Sequence, residues 1–206
     1  MPRIRSYAGP LTAQQAADGI QVALLNARTL LLDARVLLQS ERWPRAAALA
    51  ILAIEEAGKV PIIRAILVAR SESELRDEWR AYRSHTKKNV MGQFFAYVKE
   101  ENHLENFRPL FDPTSDFGAT TEAFKQLAMY SDYVGDGRWA SPDVSIDSDL
   151  AEMVIDLADK LIPSGEGAMQ SPEELALWVE HLGPVVSVPR SGGLSRWTSG
   201  VEIHVT

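Results

Sequence analysis

The feature that most constrains the fold is residues 46–68, which are apolar nearly all the way round a helix. A helix of this composition must be covered on most sides by other elements. It begins near Pro44, a residue suited to the first helical turn. Pro61 cannot donate a backbone hydrogen bond, so we predict a kink there, beside Gly58. The chain is therefore expected to build other helices around this one.

Two further long helices are predicted before residue 100. The first spans about residues 12–40, and its apolar residues recur at a period of 3.5, which is typical of a helix packed along another helix. These residues are Ile20, Leu24, Ala27, Leu31, Ala34 and Leu38. The third helix begins at Ser71, where Ser71 and Glu74 form a capping-box pattern, and continues to about Glu100. These patterns predict an all-α antiparallel bundle.

The second half of the chain is less regular. Helical patterns cover residues 120–133, 146–162 and a segment that starts at Ser171 and ends near residue 183. A turn-rich loop follows the first of these patterns, and residues 201–206 alternate like a short strand. We therefore predict a helical bundle over residues 1–142 and, over residues 143–206, an acidic helical extension with an irregular tail packed on the bundle.

Charge is divided unevenly between the two halves. Residues 1–100 contain 15 Lys or Arg and 10 Asp or Glu, whereas residues 101–206 contain 6 and 18. The first half is thus the part suited to bind phosphate, although the charges of both halves could simply lie on solvated surfaces.

Several function classes are excluded or disfavoured by composition. Without cysteine the chain has no disulfide, no thiol nucleophile and no zinc–thiolate site. Its four histidines are far apart in sequence, so we expect neither a metal site nor a cofactor. Charged residues interrupt the most apolar stretch, which argues against a membrane span. The N-terminal residues lack the apolar stretch of a secretory signal, so we expect a cytoplasmic protein.

A basic segment within the third predicted helix has the residue types of phosphodiester chemistry. Residues 76–88 read RDEWRAYRSHTKK. Histidine exchanges protons near neutral pH, and arginine stabilises negative charge that develops on a phosphate. Arg80 and His85 are about 140° apart on a regular helix. Only a distorted helix or a second chain would bring them together.

Two adjacent carboxylates lie at the predicted kink. Glu55 and Lys59 are four residues apart and could pair along the helix, whereas Glu56 lies about 100° further round and has no such partner. Buried carboxylates need a counter-charge. We therefore expect at least one of them to meet a cation from a neighbouring helix.

Three segments carry a resemblance to a known family. LAILAIEEAGK at 49–59, RSHTKK at 83–88 and KQLAMYSDYVGDGRWASP at 125–142 are similar to motifs of the AbiV-type abortive-infection proteins of the HEPN superfamily. The resemblance implies a helical bundle that defends against phage and dimerises at its active site. It also implies metal-independent RNA cleavage by an Arg and a His with four to six residues between them, which matches Arg80 and His85. The residue after this Arg is commonly polar in active members, whereas here it is Ala81.

Together these observations give a hypothesis of a metal-independent endoribonuclease. Arg80 would hold the scissile phosphate, His85 would transfer a proton, and Glu56 would orient His85. The remaining candidates are the RNA-binding residues Arg83, Lys87, Lys88 and Tyr82, and the supporting residues Glu55 and Lys59. The products would be a 2′,3′-cyclic phosphate and a 5′-hydroxyl. The partners would be RNA, a second copy of the chain, and a phage-encoded activator or a cognate inhibitor.

Two alternatives without RNA cleavage stay open. In a helical interaction module, which Ala81 and the acidic second half favour, the Arg–His–Glu cluster would be a buried structural network. In a nucleotide-sensing bundle, the protein would bind a mononucleotide tightly. A catalytic His85 must line an open groove, whereas a structural one should be buried and satisfied. Tyr82 has a similar alternative, because it could pack in the core instead of stacking on a base.

Overall fold

A computed structural model of the chain describes residues 8–85, residue 88, residues 117–162 and residues 171–182. The described helices are α1 (Ala13–Gln39), α2 (Trp43–Ala57), α3 (Lys59–Leu67), α4 (Glu72–Arg83), α5 (Phe117–Met129), α6 (Pro142–Ser145), α7 (Ser148–Leu161) and α8 (Pro172–His181). A short hairpin of β1 (Asp132–Gly135) and β2 (Arg138–Ala140) accompanies them. The all-α, HEPN-like bundle is therefore confirmed.

Helix α1 packs along α2 through the predicted apolar seam. The hydroxyl of Thr12 accepts a hydrogen bond from the backbone N–H of Gln15, and the Gln15 side chain accepts one from the N–H of Thr12, which caps the helix. Five of the six seam residues are buried and the sixth, Leu38, is half-buried. Helix α1 also contacts α3, α7 and α8, while α2 contacts α5 and α7. The seam thus forms the centre of the bundle, as predicted.

The kink in the most apolar helix is also confirmed. Helix α2 ends at Ala57 and α3 begins at Lys59, with Gly58 between them at φ −63° and ψ −12°. Because Pro61 lacks an N–H, one helical hydrogen bond is missing here and the helix is easily broken. This break places Glu55 in the last turn of α2.

The third helix is shorter than the sequence predicts. Ser71 caps it as expected, since its hydroxyl accepts the backbone N–H of Glu74 at 3.0 Å. The helix nevertheless ends at Arg83, because Ser84 adopts an extended conformation with φ −90° and ψ 121°. The single helix predicted from Ser71 to about Glu100 is therefore wrong at Ser84, and residues 89–100 of that prediction lie outside the described residues. Helical backbone resumes at His85, and the N–H of Lys88 donates to the carbonyl oxygen of Ser84 at 3.3 Å, so Ser84 interrupts the helix.

A hairpin replaces the end of the helix predicted at 120–133. Helix α5 stops at Met129, and β1 and β2 then pair in antiparallel register, with Tyr133 opposite Trp139. Positive φ angles at Gly135, Asp136 and Gly137 form the turn, and two of these three residues are glycines. The turn-rich sequence therefore folds back on itself, which a helical pattern alone does not predict.

The last described helix begins at its predicted cap, Ser171, and the helix before it is capped by a residue that the sequence analysis did not single out. Asp147 caps α7, and Ser171 caps α8 with a complete capping box to Glu174. The buried face of α7 joins the α1–α2 core through Val154, Ile155 and Ala158, among others. The strand predicted at 201–206 lies outside the described residues. None of the described helices is long and apolar enough to cross a membrane.

Candidate functional site

The site is organised around the buried carboxylate of Glu55. This side chain is 3% exposed, and its Oε2 lies 2.6 Å from Nδ1 of His85 while its Oε1 lies 2.7 Å from Nζ of Lys125. A carboxylate in the last turn of a helix faces the negative end of the helix dipole, so it depends on such donors. The expectation that one of the two carboxylates meets a cation from a neighbouring helix is thus confirmed.

Lys125 belongs to α5 and joins two carboxylates. Its Nζ lies 2.7 Å from Oε1 of Glu55 and 2.7 Å from Oε2 of Glu122, one helical turn earlier. Burial acts to lower the pKa of Lys125, but its hydrogen bonds to Glu122 and Glu55 outweigh burial and raise the pKa above its ordinary value. Burial likewise acts to raise the pKa of Glu122, yet hydrogen bonds from Lys125 and Gln126 leave it lowered. Lys125 is therefore a cation held between two anions.

His85 combines a buried contact with an exposed ring. The chain leaves α4 at Ser84, and the next residue points Nδ1 at Glu55 while 56% of its side chain stays exposed. Within the described part of the chain, Nε2 of His85 has no hydrogen-bond partner. A neutral imidazole that donates its Nδ1–H to a carboxylate presents the lone pair of Nε2, so this tautomer, assigned from the hydrogen-bond pattern, can accept a proton.

Lys88 is buried beside the kink. It is 7% exposed, and burial lowers its pKa although Glu55 opposes the shift. Its carbonyl oxygen approaches Gly58 so closely that a Cβ atom there would lie 2.0 Å away. Lys88 thus interacts electrostatically with Glu55, and its binding to RNA stays a prediction. Lys87 lies outside the described residues.

The second carboxylate, Glu56, pairs with Lys59. Its Oε1 lies 2.5 Å from Nζ of Lys59, so both the pairing of Glu55 with Lys59 and the lack of a helical partner for Glu56 were wrong expectations. Glu55 is instead buried against α5, where it pairs with Lys125, and Lys59 pairs with Glu56. Nζ of Lys59 also lies 5.7 Å from the ring centroid of Tyr82. Tyr82 is half-buried and packs against core residues as well as edge-on against Trp79.

The two arginines occupy the surface of the last turn of α4. Arg80 is 78% exposed and ion-pairs with Asp77 at 2.6 Å. The Arg83 guanidinium lies 5.6 Å from the ring centroid of Trp79. Among the described residues, no hydrogen bond or ion pair joins Arg80 to His85 or Glu55. The structure thus brings together His85 and Glu55 but not Arg80.

Sequence reasoning missed Lys125 and Glu122 as members of the site. The available signal was a lysine on an apolar helical face: Lys125 and the fully buried Ala128 are three residues apart, and Glu122 precedes Lys125 by the same interval. Ligand atoms of Glu55, His85 and Glu122 lie within 4.8 Å of one another, a spacing that could hold a metal ion. The ammonium group of Lys125 contacts both carboxylates there and acts as the cation between them.

Comparison with known protein families gives a match over most of the chain. The model of the family HEPN_AbiV, described as AbiV, matches residues 15–163, more than half of the chain. The match continues past residue 142 and includes every described residue of the Glu55 site. No curated protein and no solved structure matches the chain significantly.

Proposed function

This chain belongs to the AbiV family of HEPN proteins, which makes it an abortive-infection protein of the HEPN type, and we propose that it is a metal-independent endoribonuclease in which His85 transfers the proton. The observation that carries this proposal is the contact of an exposed imidazole with a buried carboxylate. Nδ1 of His85 bonds Glu55 at 2.6 Å, and the ring remains 56% exposed. A purely structural histidine would be expected inside the bundle with both nitrogens satisfied.

The tautomer set by Glu55 suits the first chemical step. Nε2 of His85 would accept the proton of an RNA 2′-hydroxyl, whose oxygen attacks the adjacent phosphorus. The bond from phosphorus to the 5′-oxygen of the next nucleotide breaks, this oxygen takes a proton from water, and the imidazolium of His85 returns its proton to water. The products are a 2′,3′-cyclic phosphate and a 5′-hydroxyl, and no water or metal ion is consumed.

Arg80 would supply positive charge to the phosphate. Its ion pair with Asp77 is exposed at both ends, and such pairs are worth only about 0–1 kcal/mol, so the guanidinium is free to turn to a ligand. Because Ser84 interrupts the helix, the 140° separation of a regular helix does not apply to Arg80 and His85. We propose that a second copy of the chain completes the basic groove, and that Arg83 and Lys87 contact the RNA backbone.

We also propose where the protein acts and what controls it. The protein would act on RNA in the cytoplasm, and a phage-encoded activator or a cognate inhibitor would control its toxicity.

Two observations favour a non-catalytic interaction module as a second candidate. Arg80 pairs within α4 rather than with His85, and Ala81 is not the polar residue common in active relatives. In that case the Glu55 network would only hold α2, α5 and the segment after α4 together. The two candidates differ in whether RNA is cleaved.

The test is RNA cleavage in EDTA by the purified protein and two histidine variants. His85→Ala should abolish cleavage, whereas the matched control His181→Ala should retain it, because His181 is an exposed residue at the end of α8. The products should carry cyclic phosphates. Equal cleavage by wild type and a folded His85→Ala variant would contradict the mechanism, and absence of cleavage in all three would favour the interaction module.

A further inference from the structure

Lys125 and His85, the proposed proton-transfer residue, share Glu55 as a hydrogen-bond partner. The charge of Lys125 therefore affects where protons reside on both Glu55 and His85. We propose that Lys125 is a positioning residue that holds Glu55 as a carboxylate and thereby keeps His85 in the tautomer with Nδ1 protonated and Nε2 free. The catalytic consequence of this inference rests on the proposed nuclease function. The protonation pattern itself does not, because it follows from the contacts of the folded chain.

The geometry assigns one oxygen of Glu55 to each partner. Oε1 accepts from Nζ of Lys125 at 2.7 Å and Oε2 lies 2.6 Å from Nδ1 of His85. With Oε1 committed to an ammonium donor, a proton on Glu55 would have to reside on Oε2, where it would displace the Nδ1–H of His85. A charged Lys125 therefore favours the arrangement in which His85 is the donor and Glu55 the acceptor.

Of the two lysines beside Glu55, Lys125 is the one whose positive charge is favoured by its contacts. Among the residues that the structure describes, the charged groups around His85 are Glu55 from α2, Glu122 and Lys125 from α5, and Lys88 behind the kink. Lys88 interacts with Glu55 and is itself weakened as a cation by burial, which lowers its pKa. Lys125 has the opposite shift, because its contacts with Glu122 and Glu55 raise its pKa. Lys125 thus stays charged over the whole neutral range.

Loss of the Lys125 charge would leave two carboxylates close to one imidazole. Glu55 would then either take up a proton and donate it to Nδ1, which moves the imidazole proton to Nε2, or retain His85 as an imidazolium. In both cases the lone pair of Nε2 disappears. A residue that only fills space would not change the proton position on His85.

The experiment is nitrogen-15 NMR of the histidine side chains, which distinguishes the two tautomers and the imidazolium. The spectrum is recorded at about pH 8, above the ordinary histidine pKa of about 6.5. The His85 signals are assigned by their loss in His85→Gln. Wild type and the control Lys160→Met, which removes an exposed lysine of α7, should show His85 with its proton on Nδ1. Lys125→Met should lose this pattern, and Lys125→Arg, which retains the charge, should restore at least part of it.

Two results would overturn the inference. One is a wild-type spectrum in which His85 carries its proton on Nε2, and this result needs no variant. The other is a folded Lys125→Met protein with the wild-type tautomer. If the methionine variant does not fold, Lys125→Gln takes its place, since it retains a donor without the charge.

RNA cleavage measured on the same samples separates this inference from the proposed function. A tautomer change in Lys125→Met, in a protein whose wild type cleaves no RNA, supports the positioning role and overturns the nuclease. Alternatively, wild type cleaves RNA, and Lys125→Met changes neither the cleavage rate nor the His85 spectrum. This result supports the nuclease and overturns the positioning role. If the positioning role and the nuclease function are both correct, Lys125→Met should lower cleavage about a hundredfold, as expected for an incorrectly protonated general base.

Discussion

Gly58 and Lys88 meet backbone to backbone at the kink between α2 and α3. A Cβ atom on residue 58 would lie 2.0 Å from the carbonyl oxygen of Lys88 and 2.8 Å from its carbonyl carbon. Real Cβ atoms do not approach so closely, and the obstacle is backbone rather than a flexible side chain. The missing side chain of Gly58 therefore allows the segment that follows α4 to dock beside Glu55 and carry His85 to it.

Gly58→Ala should consequently disturb the site through a steric clash. We expect the free energy of unfolding to fall by about 1–3 kcal/mol, the usual cost of overpacking, and RNA cleavage to fall with it. The matched control is Gly19→Ala in α1, where a Cβ atom would lie 3.5 Å from Cδ1 of Ile63, an ordinary contact. Alanine has the higher helix propensity, so this control should gain up to about 1 kcal/mol. Urea denaturation of both variants checks the prediction, which is refuted if their stabilities change alike.

Glu55 and Glu56 are adjacent but should respond differently to conversion to glutamine. Glu55→Gln removes the buried negative charge and replaces one of the two acceptor oxygens, which contact His85 and Lys125, with an amide donor. It should destabilise the fold by about 1–3 kcal/mol and abolish cleavage. Glu56→Gln only weakens the partly exposed pair with Lys59, at a cost of about 1 kcal/mol or less, and should leave cleavage largely intact. If Glu56→Gln were the more damaging change, the role first expected for Glu56 would be restored.

Arg80 should matter for activity and not for stability. Its side chain is 78% exposed, so Arg80→Ala should change the free energy of unfolding by less than about 0.5 kcal/mol. Loss of a donor to the charge that develops on the phosphate should lower the cleavage rate about a hundredfold. Arg76→Ala is the matched control, because Arg76 is exposed on the same helix and pairs at 3.7 Å with Glu72. Equal loss of cleavage in both variants would mean that only the overall charge of α4 matters.

The Glu122–Lys125 pair should make stability depend on pH in the acid range. The pKa of Glu122 is lowered from 4.5, so its contribution is present above about pH 4.5 and is lost as the pH falls through the folded pKa. On the alkaline side, the raised pKa of Lys125 and the lowered pKa of Lys88 act in opposite directions. The acid range is therefore the informative one. Urea denaturation between about pH 3 and pH 7 should show a weaker dependence in Glu122→Gln than in wild type, and parallel curves would refute the prediction.

Much of the fold could be predicted because its causes are local. The positions of α1, α7 and α8 follow from apolar periodicity and from capping residues such as Thr12 and Ser171, whose partners lie three residues away. The break at Gly58 follows from Pro61, three residues later. The hairpin after Met129 could not be predicted with the same security, since a two-stranded hairpin has little stability of its own and depends on its surroundings.

The candidate site was predictable in part. The chemistry of His85 and the need of a buried carboxylate for a cation follow from residue type and burial. The end of α4 at Arg83 did not follow from the sequence, because a serine such as Ser84 occurs both inside helices and as the extended cap of a new helix. The sequence also could not show that Glu55, and not Glu56, contacts His85 and Lys125, because this depends on how α2 is rotated about its axis against α5.

By itself, then, the sequence determined that this chain forms helices around a central apolar one, that this helix breaks near Gly58, and that it resembles the AbiV family. Periodicity, capping and backbone chemistry act within a few residues and can be recognised without the fold. Only the tertiary structure decided that Glu55 joins His85, 30 residues away, to Lys125, 70 residues away. Those contacts are set by how α2 and α5 pack and by the close approach that Gly58 allows, and burial of a charge makes its partners a property of the whole fold.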